Sequence, residues 1–140
     1  MRIGQLLRRG DTLRLSGNLG SGKTCLARGL ARGWGALETA SSPTFALINE
    51  YHRSDGAQLF HADGYRLGGV DDAISTGLED ALAAGQIVVI EWPERLAELL
   101  PADSLLIELE NIGESTRRLI ITAGGPQSRR LLDALADTNS

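Results

Sequence analysis

The chain has 140 residues, 42% hydrophobic and 23% charged, as expected of one ordinary globular domain spanning residues 1–140. A net charge of −4, with no basic run longer than a pair, argues against a surface that grips nucleic acid unaided. The single cysteine, Cys25, excludes an internal disulfide and a cysteine metal cluster; no apolar run suits a signal peptide or membrane span, so the cytoplasm is the expected location.

Thr12-Leu13-Arg14-Leu15-Ser16 alternates as a strand does and runs directly into Gly17-Asn18-Leu19-Gly20-Ser21-Gly22-Lys23-Thr24. That second segment fits G-x-x-x-x-G-K-[ST], a phosphate-binding loop. Glycines let the backbone curl so that successive N–H groups face phosphate oxygens, a lysine ammonium reaches the β- and γ-phosphates, and the Thr hydroxyl ligates Mg²⁺. Lys23 is the only lysine in the chain, and the other thirteen basic side chains are all Arg. A planar, forked guanidinium is poorly shaped for a point-charge role, which is the place where lysine is retained. Leu26, Leu30 and Trp34 then recur at helical spacing, with Gly33 and Gly35 marking the end. Strand, loop, helix is the context that the motif requires. Cys25, on the first turn of that helix, is a place for a slightly acidified thiol and reads better as a small packing residue.

Farther along, Phe45 to Tyr51 reads as a strand after a Ser41-Ser42-Pro43 turn, and Gln58 to Ala62 as another that ends at Asp63. Asp71 to Ala84 is polar and predicts short helices. Ile87-Val88-Val89-Ile90 is a continuous β-branched run, the mark of a strand buried on both faces of a parallel sheet. Leu105, Ile107 and Leu109 alternate as in a strand with one wetter face, Arg118 to Thr122 makes a further strand, and Ser128 to Ala136 a closing helix. The fold class predicted is α/β, a P-loop NTPase-like domain whose mainly parallel central sheet is flanked by helices.

A phosphate loop needs a carboxylate site to hold Mg²⁺ and order an attacking water. Two acids stand at the ends of predicted strands, where open α/β sheets bind ligands. Glu91 directly follows Ile87 to Ile90, the place of a metal-side acid; Asp63 follows Leu59-Phe60-His61-Ala62 and suits a catalytic or water-ordering acid. In isolation, either is equally well read as a helix cap. His61 reads as a packed, hydrogen-bonded strand residue rather than a proton shuttle. Trp92 either stacks on a base or partner or buttresses the sheet edge. Arg66 either meets phosphate charge or forms a surface salt bridge.

With these residues in order, the chain resembles the bacterial TsaE family, the small ATPase of tRNA threonylcarbamoyladenosine biosynthesis, from about Gly4 to the final strand. The resemblance is carried by Gly10-Asp11, Gly17 to Thr24, Ala27-Arg28-Gly29 and Ser42-Pro43-Thr44-Phe45. It continues through His61-Ala62-Asp63-Gly64-Tyr65-Arg66-Leu67 and Ile90-Glu91-Trp92-Pro93-Glu94. The phosphate loop alone is generic; the other segments in that order and spacing are specific. The resemblance implies ATP and Mg²⁺ as cofactors, Thr24 and Glu91 on the metal, and Lys23 on the phosphates. Around the nucleotide it places Asn18, Leu19, Gly20, Ser21, Gly22, Lys23, Thr24, Cys25 and Arg117. It implies that Asp63 is needed for hydrolysis and that Thr44 lies on a switch-like loop near the γ-phosphate. It further implies the TsaD and TsaB proteins as partners, tRNA being reached through them. Gly64 departs from the larger aliphatic residue usual there, and Asn18 and Ser21 are mild loop variants; the family's extra strand before the helix near Ile3 is expected either to lie ahead of this start or to be lacking, with reduced nucleotide affinity.

Two other functions share these features. A small-molecule kinase uses the same loop and a loop-borne acid, but normally adds an Arg-rich lid, for which the late pairs Arg117-Arg118 and Arg129-Arg130 are on offer. A non-catalytic nucleotide switch fits the small size and the want of an obvious arginine finger.

Overall fold

The apolar run Ile87 to Ile90 lies in a strand covered on both faces, each of its four side chains at most 3% exposed. The computed structural model describes residues 2–17, 23–37, 48–63, 78–91, 99–111 and 117–138. In chain order these form α1 (Arg2–Leu6), β1 (Thr12–Gly17), α2 (Lys23–Trp34), β2 (Ile48–His52), β3 (Gln58–Asp63) and α3 (Leu78–Ala83). They continue with β4 (Ile87–Glu91), β5 (Leu105–Asn111), β6 (Arg117–Ala123) and α4 (Pro126–Thr138).

The strands make one six-stranded sheet in the order β2-β3-β4-β1-β5-β6. β3, β4, β1 and β5 are parallel to one another, while β2 and β6 pair antiparallel at the two edges. The expected α/β class and mainly parallel sheet are therefore present. Element ends move by a residue or two: β1 takes in Gly17, β6 widens to Arg117–Ala123, and α4 starts at Pro126 rather than Ser128. The early start of α4 has a cause. Pro126 brings a φ suited to a first helical position, and Asp103 accepts the N–H groups of Gln127 and Ser128 at 2.9 and 3.0 Å. Of the strand predicted over Phe45 to Tyr51, residues 45–47 lie outside the described residues, as do residues 71–77 of the polar helical segment.

Alternation sorts the strands onto two faces. Leu13, Leu15, Leu59, Ile87, Val89, Leu105, Ile107 and Leu109 pack with α1, α2 and Leu131 of α4. Ala62, Val88 and Ile90 turn the other way and meet Leu78 and Ala81 of α3. Full burial of each large aliphatic side chain stabilises the fold by about 1.5–3 kcal/mol, so both layers matter.

Helix α2 presents Leu26, Ala27, Leu30, Ala31 and Trp34 as one buried stripe toward the sheet and α1. Cys25 falls on the opposite side of the helix and is exposed. The expectation of a packing cysteine is thus corrected: position 25 is out of phase with 26, 30 and 34. α1 lies close against α2 at Gly4, where a Cβ would stand 2.4 Å from the Leu30 carbonyl oxygen, so only glycine permits this approach.

The turn between α1 and β1 is fastened by Asp11, whose side chain is 2% exposed. It accepts the Arg8 N–H at 2.7 Å, Gln127 Nε2 at 3.0 Å and Arg130 Nη2 at 3.2 Å. The Gly10-Asp11 segment therefore ties the last helix to the start of the first central strand.

Candidate nucleotide site at the carboxyl ends of the parallel strands

Open parallel sheets bind ligands beyond the carboxyl ends of their strands. At that end β1 finishes on Gly17, β3 on Asp63 and β4 on Glu91. Register places Asp63 opposite Glu91, and Glu91 opposite Leu15, two residues before the phosphate-loop glycine. Partners in register share a face, so both carboxylates lie on the face that carries Leu15, Val89 and α2. Sequence reasoning treats these two acids separately; the sheet makes them neighbours.

Gly17 has φ 150°, a value open to glycine and strained for other residues, as the chain leaves β1. Helix α2 begins at Lys23, so a strand precedes the motif's residues 18–22 and a helix follows them, as the motif demands. The first-turn N–H groups of a 12-residue helix have no intrahelical acceptor and are suited to an anion. Lys23 and Thr24 belong to that first turn by their backbone, and their side chains lie outside the description. Asn18, Leu19, Gly20, Ser21 and Gly22 lie outside the described residues, as do Thr44, Gly64, Arg66 and Trp92. Arg117 opens β6 in register with Asn111; its backbone is at the same end of the sheet, two strands from β1, and its side chain is outside the description.

Glu91 is 4% exposed, and His61, from the neighbouring strand, is 5% exposed. His61 Nε2 stands 2.6 Å from Glu91 Oε2. His61 is the register partner of Val89, so it meets Glu91 diagonally, two residues along β4 on the same face. The reading of His61 as buried and hydrogen-bonded is borne out. Its partner was not foreseen. The available signal was the two-residue offset between His61 and Asp63, which becomes informative once β3 and β4 are known to be parallel neighbours. Asp63 is partly buried and held by further interactions at the strand end.

The donor chemistry here fits Mg²⁺. That ion takes one or two carboxylates together with substrate phosphates and water, and does not need an all-protein cage. Among the described residues no group of three His, Cys, Asp or Glu side chains forms such a cage. A buried carboxylate within hydrogen-bond distance of a histidine, on the strand beside β1, suits a metal held jointly with phosphate.

A cavity of about 350 Å³ opens at the opposite end of the sheet, between Leu7, Arg8, Arg9 and the Arg53–Gln58 hairpin. Two of its arginines are already engaged: Arg9 donates to the Ala84 carbonyl, and Arg53 bonds Asp55 and lies over the Trp34 ring. That end meets the amino ends of the strands and has no phosphate loop. Among the described residues no helix is long and apolar enough to cross a membrane.

Comparison with known proteins agrees with this geometry. The family model described as threonylcarbamoyl adenosine biosynthesis protein TsaE matches residues 1–119. A tRNA threonylcarbamoyladenosine biosynthesis protein TsaE from Treponema pallidum is 37% identical over 119 residues, covering 85% of this chain and 87% of its own. The protein of the same name from Streptomyces coelicolor is 39% identical over 131 residues, covering 89% and 87%. Among solved structures, Bacillus subtilis YdiB superposes with a TM-score of 0.76 at 29% identity, over 99% of this chain and 88% of that one. The sheet and its flanking helices thus form a P-loop NTPase fold, and the chain belongs to the TsaE family.

Proposed function

We propose that this protein is a Mg²⁺-dependent ATPase that serves threonylcarbamoyladenosine modification of tRNA together with the TsaD and TsaB proteins. One observation carries the reading: Asp63 and Glu91 stand in register at the carboxyl ends of β3 and β4, on the face where α2 begins. Two acids beside a phosphate loop divide naturally into a metal-side acid and a water-side acid.

In this account the loop Asn18 to Gly22 and the first N–H groups of α2, through Cys25, cradle the phosphates. Lys23 adds its charge to the β- and γ-phosphates, and Arg117 approaches the nucleotide from the β6 side. Thr24 and Glu91 hold Mg²⁺, which when bound neutralises charge on the phosphate oxygens. Asp63 accepts the proton of the attacking water, a role worth about 10²–10⁴ in rate. Thr44 belongs to a loop that senses the γ-phosphate.

Phosphoryl transfer depends on groups placed in advance around the γ-oxygens. Lys23 is the one lysine, and no arginine finger is evident in the sequence, so turnover is slow until partners complete the site. With a net charge of −4, the protein meets tRNA through those partners and works in the cytoplasm. The experiment is ATP turnover with and without the TsaD–TsaB complex. Stimulation supports the reading. Acceptor-dependent release of ADP onto a small molecule would select a kinase instead, and binding without turnover would select a switch.

A further inference from the structure

We propose that His61 is a positioning residue for Glu91: its Nε2–H grips Oε2 and fixes the orientation of the carboxylate that the account above places on the metal. The inference rests on that reading of Glu91 and adds a residue to it.

Both partners are nine-tenths or more buried, and the 2.6 Å separation is that of a short, charge-assisted contact. Nε2 faces a carboxylate and therefore carries the hydrogen. Nδ1 is buried without a hydrogen-bond partner, which makes it the natural site of the bare lone pair. A buried polar atom without a partner carries a desolvation penalty that an apolar side chain of similar volume would avoid. Among the described residues the imidazole's one polar contact is Glu91, so that contact is what distinguishes histidine from a core-filling residue here. The benefit is conformational. A glutamate side chain loses rotamer freedom when it is restrained, and a fixed carboxylate meets its metal without that loss at the moment of binding.

The geometry also limits which side chain can substitute. His61 reaches Glu91 diagonally across the strand pair, from the residue opposite Val89. A glutamine amide nitrogen extends about as far from the backbone as imidazole Nε2. An asparagine amide nitrogen stops near the Nδ1 position and cannot make the contact.

The test uses the full chain and a fluorescent ATP analogue, titrated with Mg²⁺ and, separately, in excess chelator. His61→Leu should raise the Mg²⁺ concentration for half-maximal binding at least about tenfold, the usual loss when a ligand's orienting partner is removed. His61→Asn should behave like His61→Leu, and His61→Gln should stay close to the parent. Binding in chelator should be unchanged in all three. Equal losses with and without Mg²⁺ would show a merely structural role and overturn the inference, as would a parent-like Mg²⁺ requirement in His61→Leu. If His61→Leu does not fold, the Gln and Asn variants decide: indistinguishable Mg²⁺ requirements overturn it. Glu91→Gln in the same titration separates the two levels. An unchanged requirement there removes the metal-side reading of Glu91 itself, whereas a raised one with a parent-like His61→Asn sinks only the role of His61.

Discussion

Asp63 and Glu91 are register partners on adjacent parallel strands, so two carboxylates stand side by side at the edge of one sheet face. Their surroundings differ. Glu91 is buried and gripped by His61, whereas Asp63 is partly open at the strand end. An enclosed, oriented carboxylate suits a metal, and a more accessible one suits a water molecule.

The acids should therefore fail in different ways. Glu91→Gln keeps the volume and removes the charge, so ATP affinity at limiting Mg²⁺ should fall while affinity in chelator holds. Asp63→Asn should leave binding near the parent and slow hydrolysis by about 10²–10⁴. Equilibrium binding and single-turnover hydrolysis, measured on the same preparations, distinguish these outcomes from a shared structural defect.

A second pair of variants separates phosphate from metal. If Lys23 meets the phosphates as proposed, no amount of Mg²⁺ should restore ATP handling in Lys23→Ala. If Thr24 holds the metal as proposed, raising Mg²⁺ should recover most of what Thr24→Ala loses. Loss of one charge-assisted hydrogen bond is worth about 1.5–3 kcal/mol, roughly 10–150-fold in affinity. Titration of nucleotide binding at several Mg²⁺ concentrations is the check. Parent-like binding and turnover in both variants would remove the phosphate-loop reading.

The Asp11 fastening makes a prediction about stability rather than chemistry. Asp11→Ala leaves Arg130, Gln127 and the Arg8 N–H without their shared acceptor. Because Arg130 is one-third exposed, water recovers part of the loss, and the expected cost is about 2–3 kcal/mol. Chemical denaturation should show it as a lower midpoint with unchanged slope. Nucleotide affinity of the folded protein should hold, since Asp11 lies at the opposite end of β1 from Gly17.

Asp103 supplies the pH dependence. Its carboxyl is held below the ordinary 3.8 by the Ser128 hydroxyl, then by the N–H groups of Ser128 and Gln127. A depressed folded-state value means that the carboxylate's contribution is complete above the unfolded value and is lost as pH falls through the folded one. The parent should therefore lose this contribution below about pH 3.8, whereas Asp103→Ala should be weaker above it by about 1 kcal/mol, a typical helix-cap loss. Unfolding midpoints at pH 7 and pH 3 should differ less in the variant than in the parent.

The parts of this molecule written in local pattern were legible in advance. The β4 run, the alternation in β1 and β5, and the phosphate-loop context all follow from neighbours in the chain. The position of the acids at strand ends was also readable, because each directly follows an apolar strand. Pairings across the fold were not. The His61–Glu91 contact joins residues 30 apart and depends on β3 and β4 being adjacent and in one register. The Arg130–Asp11 contact spans 119 residues. Cys25 departs from its expected packing role for a local reason: it is out of phase with the buried stripe of Leu26, Leu30 and Trp34 and faces solvent.

The most direct test reconstitutes the tRNA modification with purified TsaD–TsaB complex, ATP and either the parent protein or Asp63→Asn, counting modified tRNA per complex. The account predicts many turnovers with the parent and arrest near a single round with Asp63→Asn, which still binds ATP. Equal multiple turnover with the hydrolysis-deficient variant, or with no TsaE-family protein added, would contradict it.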